Sequence, residues 1–437
     1  MKRTLLTAWL AASIPYGVLA EPLAADPAAI VPPVPYRSAL GTLIDMPPAS
    51  EVSLADWARA NADVGRNLRG HIDILKWEAA NTVPADTVDK PPAGPPMSPG
   101  QAVALALRHQ PELFAPPQAS ALAQARLDAQ VLALSHSVQR AWINAVAARQ
   151  NVAHLHQVAQ AAQVGAELGQ RMARVGNWSR AQLLQEQLVQ SASASQLALA
   201  QQEAFGATEN LVRLLGVWGN AAQLNLPAQL PALPATVADS PDLEATALRR
   251  QPELIQARVE AQQALAGVTA PHLQKWQEAI DAALQASSPS GESAMGVPHT
   301  TPALNPQDVP LTHALEKSIR ASAQAHTLAV TTRSQAREAY FRYRTAVDMA
   351  QHQRQAALLS AALQDEVQLR YNGMLQSTWD LLASARARLQ SESAAHQSQR
   401  DAWLAYIDLQ AVLSGAVVNF SSNPSAAGNA PAAKSGH

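Results

Sequence analysis

Cysteine is absent from this 437-residue chain, so no disulfide framework, thiolate metal site or lipid-bearing cysteine can hold it together or anchor it. Aromatic residues are scarce, 4% against 48% hydrophobic overall, because alanine dominates every long segment. That balance suits long, closely packed helices better than a sandwich or barrel core. An excess of one charge is missing as well. With a formal net charge of −2 and no basic block, the chain offers nucleic acid no counterion release, and nucleic acid is not expected as a partner. Past the N-terminus, no run reaches the roughly 18 uninterrupted apolar residues of a spanning helix. There is no glycine-rich phosphate loop, no Gly-x-Ser-x-Gly elbow and no cysteine nucleophile, so neither an enzyme nor a cofactor is expected. The adjacent Asp365 and Glu366 would face different directions on a helix, which suits solvation. None of the twelve histidines pairs with another at i, i+4. His154 and His156 would point roughly 200° apart on a helix and cannot share an ion, and seven methionines are too few for a soft thioether cluster. No metal site is expected.

Residues 1–20 read as a signal peptide. Lys2 and Arg3 precede an apolar stretch from Leu5 to Leu19, Pro15 interrupts it, and Val18-Leu19-Ala20 fits a cleavage site before Glu21. Residues 21–97 follow as a proline-rich segment, with Trp57, Leu68, Ile72, Leu75 and Trp77 marking one or two short helices.

What dominates the rest is a helical hairpin that occurs twice. Trp142 and Tyr340, Ser179 and Ser377, and Leu183 and Leu381 are each 198 positions apart. Three matches at one offset imply an internal duplication. A second shared element precedes each copy: Ala106-Leu107-Arg108-His109-Gln110-Pro111-Glu112-Leu113 and Ala247-Leu248-Arg249-Arg250-Gln251-Pro252-Glu253-Leu254. Ser98, Pro99 and Gln101 supply a capping box and a first-turn proline, and Ser240-Pro241 repeat the start signal. The boundaries are therefore repeat 1 at 98–221, a proline-rich linker at 222–239, repeat 2 at 240–416 with a disordered loop at 286–311, and a disordered tail at 417–437. The fold class is all-α, built from long antiparallel coiled-coil hairpins in tandem.

In repeat 1, steps of four and three from Leu127 meet Val131, Leu134, Val138, Ala141, Ala145, Ala148, Val152, Leu155, Ala159, Ala162 and Ala166, all apolar. Such a 3.5-residue period predicts a coiled-coil seam with close helix approach. From Ala119 to Met172 the helix would run roughly 80 Å. The second copy (Ala336, Ala339, Tyr343, Ala346, Ala350, then Gln353) is less regular. Gly176 and Gly373 turn the long helices, since glycine accepts the left-handed backbone of a helix end, and Gly216 and Gly415 close the returns. Trp178 and Trp379, at the turns, are either exposed interaction anchors or cross-helix packing.

These motifs resemble the TolC family of outer-membrane efflux proteins. The resemblance covers about residues 98–416 and rests on the Ala-Leu-x-x-x-Pro-Glu-Leu helices, Trp142 and Tyr340, and the Arg370-Tyr371 to Ser377 to Asp380-Leu381-Leu382 turn. The final Leu409 to Leu413 to Gly415 closes the pattern. Repeat 1 departs by Gln182 in place of Asp, and repeat 2 by a glycine one position early, followed by Met374. The resemblance implies a homotrimer with a periplasmic helical tunnel, extruding small molecules or metal ions. It places the turns, Val175, Gly176, Asn177, Trp178 and Ser179 with Arg370, Tyr371, Gly373, Ser377 and Asp380, at a periplasmic tip. There a membrane-fusion adaptor, coupled to an inner-membrane pump, would dock.

The family's membrane hairpins are what cannot be found. Each needs two strands of about 9–11 alternating residues. After Leu113 only Phe114 to Gln118 precede the long helix, and His272 to Ala303 is rich in Pro, Ser and Gly without alternation. The expectation is an exported protein of the periplasm, associated with the outer membrane as an efflux duct, or else a barrel-less protein that binds an adaptor or a TolC relative without a pore.

Overall fold

The structure is a computed structural model that describes residues 95–114, 118–234, 241–287 and 312–416, and single positions at 40, 116, 304, 418 and 420. The signal peptide, the short helices expected between residues 54 and 80, and Ser240 lie outside the described residues.

Eight α-helices are described, and no strand occurs among the described residues. Helix α1 (Pro99–Arg108) starts on the expected capping box, with Ser98 and Gln101 exchanging hydrogen bonds. After a 3-10 turn at Pro111–Leu113, residues 114–120 alone lead into α2 (Ala121–Arg174), whose N-cap is Ser120 rather than a start at Ala119. Helix α3 (Arg180–Leu215) returns antiparallel. Helices α4 (Leu243–Arg250), α5 (Pro252–Leu265) and α6 (Ala270–Ser287) precede α7 (His313–Asn372), and α8 (Thr378–Ser414) returns against it. No described helix is long and apolar enough to cross a membrane.

The four long helices lie side by side in the order α3, α2, α8, α7, so the seam between the hairpins is α2 against α8. Helix α1 covers the outer end of the first hairpin, and α4 with α5 covers that of the second. None of the twelve predicted seam positions of α2 is exposed. The one-sided pattern understates the packing. Because α2 sits between α3 and α8, Trp142, Ile143 and Val146 are buried beside Ala141 and Ala145. Fully buried Leu211 and Leu215 of α3 complete this core, each worth about 1.5–3 kcal/mol over exposure. Ala145→Leu should therefore overpack the seam by roughly 1–3 kcal/mol. An unchanged denaturation midpoint would mean the side chain has room that this packing denies.

Two sequence expectations need correction, on the start of α4 and on the root of the tail. Helix α6 continues to Ser287, because Leu273, Trp276 and Ile280 keep helical spacing and the prolines at 289, 298 and 302 come after it. Helix α4 does not begin on Ser240-Pro241. Its N-cap is Asp242, which makes no side-chain cap. The linker packs onto the first hairpin and α8, since Leu226 and Leu230 are buried, Trp403 and Gln399 donate to the Pro231 carbonyl, and Gln150 accepts from the Leu230 N–H. The tail is ordered at its root, with Val418 buried and Arg342 stacked 4.9 Å over the Phe420 ring.

Candidate docking tip

Both hairpin turns are Schellman motifs, in which two backbone N–H groups cap the last carbonyls of the incoming helix. In the first, Asn177 N–H donates to Met172 (2.9 Å) and Gly176 N–H to Ala173 (3.1 Å). In the second, Leu375 N–H donates to Arg370 (2.9 Å) and Met374 N–H to Tyr371 (2.9 Å). The motif demands a left-handed residue, and Gly176 meets the demand with φ +76°.

The equivalent of Gly176 is Met374, again 198 positions on, with φ +60°. Gly373 has φ −81° and is not the left-handed residue, contrary to expectation. The glycine is simply out of register with the position that needs it. A methionine there carries a cost of about 1–2 kcal/mol. Met374→Gly should raise the unfolding midpoint, by up to about 1 kcal/mol once the extra chain entropy of glycine is deducted. A lower midpoint would show that the methionine side chain stabilises the turn.

Each return helix then starts on a capping box. Ser179 caps the N–H of Gln182 and Gln182 caps that of Ser179, while Ser377 and Asp380 do the same. Gln182 thus performs the capping for which the related turn has Asp. Hydrogen bonds from the Ser377 hydroxyl and N–H hold the Asp380 carboxyl below its ordinary range.

The two turns lie together. Trp178 and Trp379 meet edge-to-face with centroids 6.0 Å apart, and the Arg386 guanidinium lies 6.0 Å from the Trp379 ring. The open alternative for the tryptophans resolves toward packing: both are half-buried between the hairpins. Gly169 makes room for Trp178, since a Cβ there would lie 2.9 Å from its ring.

The outward surface of the tip is apolar and basic. Of the residues singled out from sequence, Val175, Gly176, Asn177, Ser179, Arg370, Gly373, Ser377 and Asp380 are exposed, whereas Trp178 and Tyr371 are half-buried. Sequence reasoning missed the largest apolar groups, Met374 at 95% exposure with Leu375 and Leu369 beside it. The 198-residue offset carried the signal, since it sets Met374 against an exposed glycine. Arg171, Arg174 and Arg180, which flank the first turn, are exposed as well. Away from the tip, His154 is buried and His156 exposed, as opposite helix faces require. Among the described residues no group of three or more His, Asp or Glu side chains is arranged to hold a metal ion.

No protein-family model and no curated protein matches the sequence. Solved structures do match. The chain is similar to the Campylobacter jejuni outer membrane channel CmeC over 72% of its own length and 68% of that chain, with a TM-score of 0.51 and 16% identity. It is similar to the outer-membrane channel OprN over 72% of both chains, with a TM-score of 0.50 and 16% identity. These are TolC-family channels, and the chain has their fold.

Proposed function

We propose that the protein is an exported, outer-envelope duct component of a tripartite efflux system, carrying small molecules or metal ions through a periplasmic helical tunnel. The observation that supports this best is the state of the two outer edges of the helical layer. Helix α3 exposes Leu184, Leu188 and Leu199 along one stripe, and α7, on the opposite edge, exposes Val330, Phe341, Leu359 and Leu363 along another. Unlike edges at opposite ends of a layer form a heterologous contact, and such contacts close into rings where the rotation between copies closes. A homotrimer buries both stripes and leaves the paired turns at one end of the tube. There the exposed apolar groups of the second turn, with the exposed arginines that flank the first, suit a periplasmic membrane-fusion adaptor joined to an inner-membrane pump.

The test has two arms. Phe341→Glu with Leu188→Glu should convert the oligomer to monomer in sedimentation, with helicity retained. Met374→Glu with Leu375→Glu should abolish co-purification of the adaptor, and deleting the gene should sensitise cells to the pump's substrate. Adaptor binding that survives the tip substitutions would remove the docking role. A deletion that leaves resistance unchanged while adaptor binding persists would replace the duct with an adaptor-binding protein that forms no pore.

A further inference from the structure

The α2–α8 seam carries two histidine stations of opposite character. At its outer end, His136 Nε2 lies 2.7 Å from Asp408 Oδ1, which also accepts from Arg140. Burial alone would raise the Asp408 carboxyl, but the donors His136 and Arg140 bring it below its ordinary range. His136 and Arg140 therefore both face an anion.

Nearer the tip, the buried His154 donates Nε2–H to the Leu389 carbonyl at 3.0 Å, since a carbonyl can only accept. Its Nδ1 is 3.9 Å from Glu392 Oε2, while the other oxygen of Glu392 accepts from Arg388. His396 stands edge-on to His154 with centroids 5.4 Å apart, and its Nδ1 is buried without a partner. Burial, and then the neighbouring His154, lower the His396 pKa, with Glu392 in partial opposition. Among the described residues, α3 and α7 contribute no ion pair to either ring, so the charges facing the pair are those of α8: Glu392 and, through it, Arg388.

We propose that this seam is an acid-responsive hinge: protonation of the His154–His396 pair releases the tip-ward half while His136, Arg140 and Asp408 hold the outer half. Glu392 can offset one proton on the pair. A second sets two cations side by side in a buried seam with a single carboxylate already engaged by Arg388. Folding favours neutral His396, so the seam keeps its full stability above the unfolded histidine value and loses it as pH falls from there toward the lower folded value. The hinge does not depend on whether the chain forms a duct.

The absence of native cysteine lets introduced pairs carry spin labels alone. In the full chain, Gln163→Cys with Gln390→Cys reports the tip-ward half, and Ser137→Cys with Gln410→Cys the outer half. All four positions are exposed. Between about pH 7.5 and about pH 5, either side of the ordinary histidine pKa, the tip-ward distance should lengthen and broaden while the outer one holds. His396→Phe should abolish that shift, and His396→Gln should do so too, which keeps the test open if the phenylalanine variant does not fold. An unshifted tip-ward distance, equal widening of both pairs, or a shift that persists without His396 would overturn the hinge.

Discussion

Gly415→Ala should destabilise the protein by about 3 kcal/mol or more, the sum of overpacking and backbone strain. Gly415 caps α8 with φ +95°, and its N–H donates to Val412 while that of Ala416 donates to Ala411. The turn between α4 and α5 presses directly onto it. A Cβ at 415 would collide with the Arg250 carbonyl and lie 3.0 Å from Pro252 Cδ. Both obstacles are rigid. Gly216, at the same place in repeat 1, also has positive φ, but a Cβ there would meet His109 Cβ at 3.1 Å, a tight contact that a shift of a few tenths of an ångström relieves. Gly216→Ala should therefore cost little more than the left-handed penalty of about 1–2 kcal/mol. Denaturant unfolding of the two full-length variants decides it, and equal losses would mean that the α4–α5 turn moves aside freely.

That contact also explains why two separate sequence motifs recur as a pair. The Gln-Pro-Glu-Leu turn and the C-terminal glycine of the return helix lie far apart in sequence and touch in both repeats, through His109 with Gly216 and Arg250 with Gly415. Features governed by local chemistry were legible in the sequence: the capping box at Ser98, the alanine seam of α2, and the glycines at 216 and 415. What escaped depends on a third helix. A period of 3.5 marks a single buried face and carries no information on His154 and Gln150, which are buried because α2 has neighbours on two sides. The tryptophans of the turns stayed ambiguous because the neighbour that covers each of them belongs to the other repeat, about 200 positions away. Met374 escaped for a different reason. A left-handed methionine violates the rule by which turns are found.

Arg386→Met should cost about 3 kcal/mol, at the low end for a broken buried ion pair because the arginine is 31% exposed. Its partner Glu186 is wholly buried on α3, with Oε2 bound by Arg386 and Oε1 lacking any partner. Gly165 of α2 leaves the space this carboxylate occupies, since a Cβ there would lie 3.3 Å from Oε2. Without the guanidinium, an uncompensated charge stays between three helices. The double variant Glu186→Leu with Arg386→Met removes both charges and should return most of the lost stability, because apolar replacement of a buried pair is often neutral or better. It would still lack the Arg386–Trp379 stacking, a difference of about 0.5–1 kcal/mol. A double variant as unstable as the single one would mean that the loss arises from packing of the arginine stem and not from the stranded carboxylate. The pair joins α3 to α8, one from each hairpin, while its arginine also touches the aromatic contact between the turns. A charge left unpaired there therefore weakens the junction that fixes the two halves of the tip relative to each other, and docking should weaken along with stability.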